Sequence, residues 1–264
     1  MRAVRYAAYG ERPQLVETAE PVCPRAGAVV RVGATGVCRS DWHAWQGHDP
    51  VALPHTPGHE FAGTVAAVGA EVSGWEVGAR VTAPFVCGCG ACSTCRAGDE
   101  QVCPHQTQPG FTHAGSFAEL VVVHAADANL VRLPDEVGFV AAASLGCRFA
   151  TAWRAVTAHG RLAEGEWLAV HGCGGVGLSA VLLGVALGAR VVAVDPVAAN
   201  RRRAEELGAE VALDAFDAVA DSVRQVTGGG AHVSLDAVGS AQTAVASVLS
   251  LRRRGRHVQV GLLF

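Results

Sequence analysis

The stretch WLAVHGCGGVGLSAVLLGVALGARVVAVD, residues 167–195, decides the fold of the second half of this 264-residue chain. It opens on an apolar β-type run (WLAVHG), continues as an apolar helical run (VGLSAVLLGVALGA), and ends on a second β-type run (RVVAVD). No Asp, Glu or Arg stands between 167 and 189, and that length alone would suit a membrane span. Gly172, Gly174, Gly175 and Gly177 crowd the first half, however, where a span needs steady helix, so strand, tight turn and buried helix is the reading. A GxGxxG in that context has a physical logic. Gly172 permits the sharp turn, Gly174 lets backbone amides approach a pyrophosphate, and Gly177 lets the helix pack on the strand. Gly175 and Val176 complete the turn, and the helix N-terminus turns its positive dipole end toward the phosphates. Asp195 ends the next strand, where a carboxylate grips the adenosine ribose hydroxyls and repels a 2′-phosphate, so NAD is expected over NADP. The arginines at 201–203 blur that preference, although a solvated helix face accounts for at least two of them.

Strand and helix go on alternating downstream. ANRRRAEELGA reads as helix, EVALD as strand, 217–229 as polar helix, HVSLDAVG as strand, 241–253 as helix and 256–263 as a fifth strand. Such alternation implies a parallel, doubly wound α/β sheet. A complete dinucleotide fold of this kind has six strands in the order 3-2-1-4-5-6, so the chain is expected to be shortened at its C-terminus. Upstream the grammar differs. Short β-rich runs at 28–38, 61–69, 79–85 and 117–125, broken by Gly and Pro, suggest a β-barrel-like domain, and an Ala-rich helical segment follows at about 140–159. The division expected is a β-rich domain over 1–149 and a nucleotide-binding domain over 150–264 lacking its last strand.

Composition narrows the function classes. The chain carries 24 acidic and 21 basic residues, all of the latter Arg, for a net charge of −3. That balance makes no electrostatic case for nucleic acid or an anionic membrane. Half the residues are hydrophobic and 17% charged, the profile of a packed globule. The N-terminus MRAVRYAAYGERP has no apolar signal core, which makes the cytoplasm the expected compartment and sets disulfides aside for the nine cysteines.

Four of those nine, Cys89, Cys92, Cys95 and Cys103, stand at x2, x2 and x7 spacing in a Gly-rich lobe spanning 87–104. Four thiolates match tetrahedral zinc with no position left open, so the expected role is structural. Cys87 competes for the first position, but the even spacing favours Cys89. Cys23 and Cys173 are read as bystanders.

The strings GVCRSDWH (36–43), PGHEFAGTV (57–65), the four-cysteine lobe, SLGCRFATAW (144–153) and HGCGGVG (171–177) together resemble the zinc-dependent alcohol dehydrogenases of the medium-chain dehydrogenase/reductase superfamily. The resemblance runs from end to end in the same order. It implies a GroES-like catalytic domain followed by a Rossmann domain, with the active site in the cleft between them. It also implies two zinc ions, NAD, a small alcohol or aldehyde substrate and a homodimeric or homotetrameric parent protein. Carried over position by position, Cys38, His59 and Cys147 correspond to the catalytic zinc ligands, and Glu60 to the acid beside that metal. Asp41 corresponds to the carboxylate that fixes the ligand imidazole, Ser40 to the hydroxyl on the substrate oxygen, His43 to the end of the proton relay, and Arg39 to a pyrophosphate contact. His48, His55, His105 and His113 are left as surface or packing residues. Three ligands leave zinc a fourth position for an alcohol, whose pKa it lowers before hydride passes to the nicotinamide. Two alternatives stay open: a related polyol or formaldehyde-type dehydrogenase, and a non-catalytic zinc- and nucleotide-binding fragment.

Overall fold

A computed structural model describes residues 1–215 and 218–263. The chain divides into two compact units, Met1–Cys147 and Arg148–Phe264.

The first unit is antiparallel. β1 (Arg2–Arg5) and β2 (Gln14–Glu17) form a ribbon. β3 (Ala28–Gly36) runs into α1 (Arg39–Gln46), then β4 (Glu60–Val68) and β5 (Arg80–Thr82). The short α2 (Ser93–Arg96) lies in the cysteine lobe, followed by β6 (Leu120–Val123), α3 (Ala126–Asn129), β7 (Val131–Arg132) and α4 (Phe139–Ala143). The main sheet has the order β6-β3-β4-β5-β7. Its core is small and β-branched: Val30, Phe61, Val65, Val81, Val121 and Val123 are buried together. That packing fixes β4, and with it the two residues at its start, His59 and Glu60, both of them buried.

The expected continuous helix over 140–159 is instead segmented. After α4 the chain makes π-helical turns over Leu145–Phe149, then α5 (Ala150–Arg154), then π-helical turns over Ala155–His159. Turns of that kind insert an extra residue per turn and are frequent at functional sites. Cys147 lies in the first of them.

The second unit carries β8 (Trp167–His171), α6 (Gly175–Ala186), β9 (Arg190–Val194), α7 (Ala198–Glu206) and β10 (Val211–Leu213). These are followed by α8 (Val219–Val226), β11 (Ala231–Asp236), α9 (Ala241–Leu249) and β12 (Leu251–Gln259). All five strands are parallel, in the order β10-β9-β8-β11-β12, which is 3-2-1-4-5 of the doubly wound scheme. Alternate residues feed opposite faces. Leu168, Val170, Val191 and Leu235 pack with Ala180, Val181 and Leu183 of α6. Trp167, Ala169, Val192 and Val194 pack with Val219 and Val223 of α8. Both faces are covered, which is why the strands read as continuous apolar runs.

Two boundaries differ from expectation. The polar helix expected over 217–229 begins at Val219, and Asp217 lies outside the described residues. The helix expected over 241–253 stops at Leu249, and Leu251 already pairs with Ala231 in the sheet. Arginines are good helix formers, so the pair at 252–253 reads as continuing helix. In the structure it forms an irregular stretch of β12, where the register jumps from Leu251 to Arg256 and Arg254 turns to φ +63°. Among the described residues no helix is long and apolar enough to cross a membrane.

Candidate metal and nucleotide sites

The first unit brings Cys38, His59 and Cys147 together from three distant segments. Their ligand atoms lie within 4.8 Å of one another, with Cys38 Sγ 4.0 Å from Cys147 Sγ. Two sulfurs bound to one tetrahedral zinc at about 2.3 Å stand about 3.8 Å apart, so the spacing fits. Local structure explains how each ligand is held. Cys38 precedes α1, and its amide donates to Asp41 Oδ2 at 2.8 Å. Asp41 Oδ1 accepts from the Gly58 amide at 3.1 Å and from His59 Nδ1 at 3.0 Å. One buried carboxylate thus ties the first ligand segment to the second. Because the Asp41 oxygen accepts, Nδ1 carries a proton, and Nε2 is the nitrogen whose lone pair can be given to a cation once its own proton is lost. That Nε2 is buried with no partner. An orphaned buried polar atom costs about 1–3 kcal/mol, a penalty a bound cation removes.

The electrostatics agree. A hydrogen bond from the Cys147 thiol works against burial, with help from His59 and the Ser40 amide, and brings Cys38 down to about 3. Burial pushes His59 down, but Asp41 and Cys38 outweigh it and raise the imidazole to about 9. The pocket therefore stabilises positive charge beside sulfur. Phe111 and Phe85 close around the imidazole at ring-centroid distances of 5.2 and 6.3 Å, two neighbours that sequence reasoning missed because lone aromatics carry no spacing signal.

Ser40 Oγ lies 3.8 Å from Cys38 Sγ. His43 is three residues further along α1, on the same face. It is half-buried, with Nδ1 3.3 Å from His48 Nδ1. Burial, then the Arg39 charge, hold the His43 pKa below its usual value. Arg39 itself is exposed and stacks on Trp42, its guanidinium carbon 3.7 Å from the ring centroid. Glu60 opens β4, fully buried, and its carbonyl accepts from Thr35 Oγ1.

The cysteine lobe forms a second cluster. Cys89, Cys92, Cys95 and Cys103 place their sulfurs within 4.8 Å of one another, with separations of 3.5 Å for Cys92–Cys95 and 3.7 Å for Cys92–Cys103. Backbone amides of Cys89, Cys95 and His105 point at these sulfurs at 3.3–3.4 Å. The Cys95 amide is the main reason Cys92 falls to about 6. Cys87 stays outside the cluster. Its thiol faces the Pro84 carbonyl, and burial pushes it up to about 12.

In the second unit the glycine turn joins β8 to α6. Gly172 has φ +91°, and a Cβ there would meet Val238 at 2.4 Å. A Cβ on Gly177 would lie 1.8 Å from the Gly172 carbonyl oxygen, so only glycine lets helix and strand close up. Gly174 faces open space. No side chain caps the N-terminus of α6, and no acidic residue stands in its first turn, so its leading amides keep their capacity for an anion. Asp195 is buried and spends part of its carboxylate on the turn. Oδ2 accepts from the Cys173 amide at 2.8 Å, while Oδ1 accepts from the Val197 amide and Asn200 Nδ2. Arg201 Nη1 bonds the carbonyls of Asp195 and Pro196 and pairs with Asp214, which draws its charge away from a ribose phosphate. A cavity of about 860 Å³ opens beside the turn, lined by Gly172, Asp195, Val197, Asn200, Val238 and Thr243 among others. The last four of these were not singled out from the sequence, since only the sheet topology brings them beside the turn.

Comparison with known proteins places both units. Residues 25–135 match the alcohol dehydrogenase GroES-like domain and residues 175–264 the zinc-binding dehydrogenase domain. An alcohol dehydrogenase of Geobacillus stearothermophilus is 36% identical over 217 residues, covering 81% of this chain and 64% of that protein. One from Rhizobium meliloti is 37% identical over 209 residues, covering 77% and 60%. The chain thus spans about six tenths of the length of the curated relatives it matches. Among solved structures, the alcohol dehydrogenase TADH from Thermus sp. ATN1 superposes with a TM-score of 0.93 at 33% identity, covering 99% of this chain and 78% of that one. With both units matched in order, the chain belongs to the zinc-dependent alcohol dehydrogenase family of the medium-chain dehydrogenase/reductase superfamily.

Proposed function

We propose that this chain carries the zinc and NAD sites of an alcohol dehydrogenase that oxidises a small alcohol to its carbonyl, reversibly, with hydride transfer to NAD. The observation that carries the reading is the buried, partnerless Nε2 of His59 converging with the sulfurs of Cys38 and Cys147. Three ligands with one position open is the pattern of a catalytic zinc, and four sulfurs that of a structural one, so two ions per chain are proposed. Zinc bound by Cys38, His59 and Cys147 supplies Lewis acidity toward the alcohol oxygen. NAD held on the glycine turn is the hydride acceptor.

The chain's own residues do the rest. Asp41 fixes the imidazole of His59 and the amide of Cys38 in one grip, so the ligand geometry is set before substrate arrives. Glu60, buried next to His59, places a carboxyl group close to the ligand set. Ser40 Oγ receives the proton the alcohol gives up, and His43 passes it toward solvent. Burial and the Arg39 charge hold the His43 pKa low, which favours the neutral imidazole. On the nucleotide side, Gly172, Gly174, Gly175, Val176 and Gly177 present backbone rather than side chain to the phosphates. Asp195 would meet the adenosine ribose of a bound dinucleotide and would disfavour a 2′-phosphate there, so NAD is the cofactor proposed over NADP.

Elemental analysis of the wild-type chain tests this reading directly, with two zinc ions per chain expected. His59→Ala is expected to retain one ion, to abolish alcohol-dependent NAD reduction and to leave the cysteine-lobe ion in place. Retained turnover in that variant would overturn the catalytic assignment. Wild-type protein that binds NAD and both ions yet reduces no NAD with any alcohol would favour a purely binding role. A panel of aliphatic alcohols, polyols and formaldehyde adducts separates the substrate classes.

A further inference from the structure

We propose that His48 is the outer station of the proton relay, taking from His43 the proton that the alcohol gives up and handing it to solvent. This rests on the relay reading above and carries it one residue beyond the positions that the resemblance supplies. His48 lies just outside α1, and the end of that helix puts it in place. Gly47 caps α1 in the left-handed region at φ +78°, where a Cβ would also meet the Tyr9 ring at 3.1 Å. The chain reverses there, and the His48 amide donates to the His43 carbonyl at 2.9 Å. The two side chains then meet Nδ1 to Nδ1 at 3.3 Å. Trp42 stands nearly perpendicular to both rings, its centroid 5.1 Å from that of His43 and 5.4 Å from that of His48. His43 is half-buried and His48 exposed, so the pair runs from the protein toward water.

A bond between these two atoms constrains the protons. It cannot form with both rings protonated only on Nε2, nor with both Nδ1 atoms protonated, so one Nδ1 donates and the other accepts. When His43 donates, its Nε2 holds a lone pair and can take a proton from the Ser40 side. The Nδ1 proton then crosses to His48 Nδ1, and His48 releases its Nε2 proton to water. One proton enters, one leaves, and both rings end neutral with the bond reversed. In the reversed state His43 carries its proton on Nε2, the form that gives it back when a carbonyl is reduced. Tautomer exchange with water resets the pair. The same contact thus serves both directions of the reaction, in keeping with the use of imidazole as a proton shuttle. The surroundings drive the proton outward. Positive charge on His43 is opposed by burial first, then by Arg39 and His48, and is favoured by Asp49 and Cys38, with a net lowering of its pKa. A proton placed on His43 is passed on rather than held, and His48 is the acceptor already in hydrogen-bond contact.

Steady-state oxidation of a small alcohol by the zinc-loaded full chain, in dilute and in concentrated buffer, tests the step. His48→Ala is expected to lower kcat by about tenfold in dilute buffer, a part of the roughly 10²–10⁴-fold that an acid–base group supplies, since water takes over some of the transfer. KM for alcohol and for NAD should stay within about twofold. Added imidazole should restore the Ala variant toward wild type, and His48→Asn should stay slow, because asparagine can accept the Nδ1 hydrogen bond but cannot pass a proton on. His48 is exposed, so zinc content and unfolding midpoint are expected to match wild type in both variants. Wild-type turnover in either variant would overturn the proposal, the Asn result showing that His48 only positions His43. A slow Ala variant that imidazole leaves slow would overturn it as well. Nitrogen NMR reads the pair without turnover. One neutral ring is expected to carry its proton on Nδ1 and the other on Nε2, and the His43 tautomer should change in His48→Ala. Protons on Nε2 in both rings would overturn the proposal. A wild-type chain that reduces no NAD would instead overturn the relay reading on which the proposal stands, with the tautomer measurement still deciding the pair.

Discussion

The cysteine lobe and the Cys38–His59–Cys147 cluster both gather zinc-type ligands, yet they are built in opposite ways. The lobe draws four sulfurs from fifteen consecutive residues and supports them with its own backbone amides. The other cluster draws three ligands from separate segments spread over more than a hundred residues and leaves one buried nitrogen unsatisfied. A site closed by its own loop can form wherever the loop forms. A site assembled across a fold exists only when the β-sheet beneath it is intact, and its unsatisfied atom is a standing cost the sheet must carry. The glycine turn lies between these cases. It is contiguous in sequence but anchored on the neighbouring strand, through the Val194 carbonyl at the end of β9 and the Asp195 carboxylate just after it.

The strongest way to break this comparison is to loosen the sheet. Phe61 is fully buried in the core of the first unit and follows His59 and Glu60 on β4. Phe61→Ala is expected to destabilise that unit by about 4 kcal/mol. In urea chosen to open this variant but not the wild type, the dispersed cluster should release its zinc while the lobe keeps its own. Zinc analysis after gel filtration should then find one ion per chain, and Cys89→Ser in the same background should remove it. Simultaneous loss of both ions would show that the lobe depends on the sheet as much as the dispersed site does.

That difference also governs what the sequence reveals. Cysteines at x2, x2 and x7 carry their geometry in their spacing, and Gly172, Gly174 and Gly177 carry theirs in the strand and helix that flank them. Cys38, His59 and Cys147 are separately unremarkable. Their grouping was legible only through the resemblance, because no local pattern encodes which distant segments a sheet will bring together. Asp195 shows a middle case. Its place at a strand end was readable, but its grip on the Cys173 amide was not, because that bond depends on the turn folding back beside β9. The π-helical turn that carries Cys147 is likewise something an Ala-rich helical pattern does not announce. The boundary between α9 and β12 was misplaced for a related reason. Arginine propensity favours helix at 252–253, and pairing of Leu251 with Ala231 overrides it.

Acid sharpens the place of the glycine turn in the comparison. His171 ends β8 directly before Gly172, is buried, and has Nε2 3.2 Å from Ser250 Oγ. Burial lowers its pKa from 6.5 to about 4. Between those values the unfolded chain takes up a proton that the folded unit refuses, so stability is complete above pH 6.5 and falls as the pH drops toward 4. The loss expected over that window is about 3 kcal/mol. Urea midpoints followed through amide exchange in β8 and β9 should show it, and His171→Asn should flatten it. A turn that were self-sufficient like the lobe would keep its protection as the strands beneath it weakened. Exchange in 172–177 that tracks β8 and β9 would place it with the dispersed site.

A smaller effect probes what the dispersed site gains from its carboxylate. Asp41 accepts from the Cys38 amide, the Gly58 amide and His59 Nδ1, and it is buried among them. Asparagine keeps the shape but presents an NH2 where an oxygen stood, so at least one of the three donors meets another donor. Replacing a partner of this kind typically costs 10–100-fold in metal affinity, and Asp41→Asn should lower zinc affinity at this cluster by about that range. The lobe shares none of these bonds and should titrate unchanged in the same protein. Loss of the Cys38 amide bond alone would weaken the start of α1 by about 1 kcal/mol, an effect that amide exchange in α1 reads separately from zinc affinity. If α1 weakens while zinc binding holds, Asp41 is a helix cap that touches His59 without orienting it. If zinc affinity falls at constant α1 stability, the carboxylate sets the imidazole, and the dispersed site depends on a single buried group to do what three backbone amides do for the lobe.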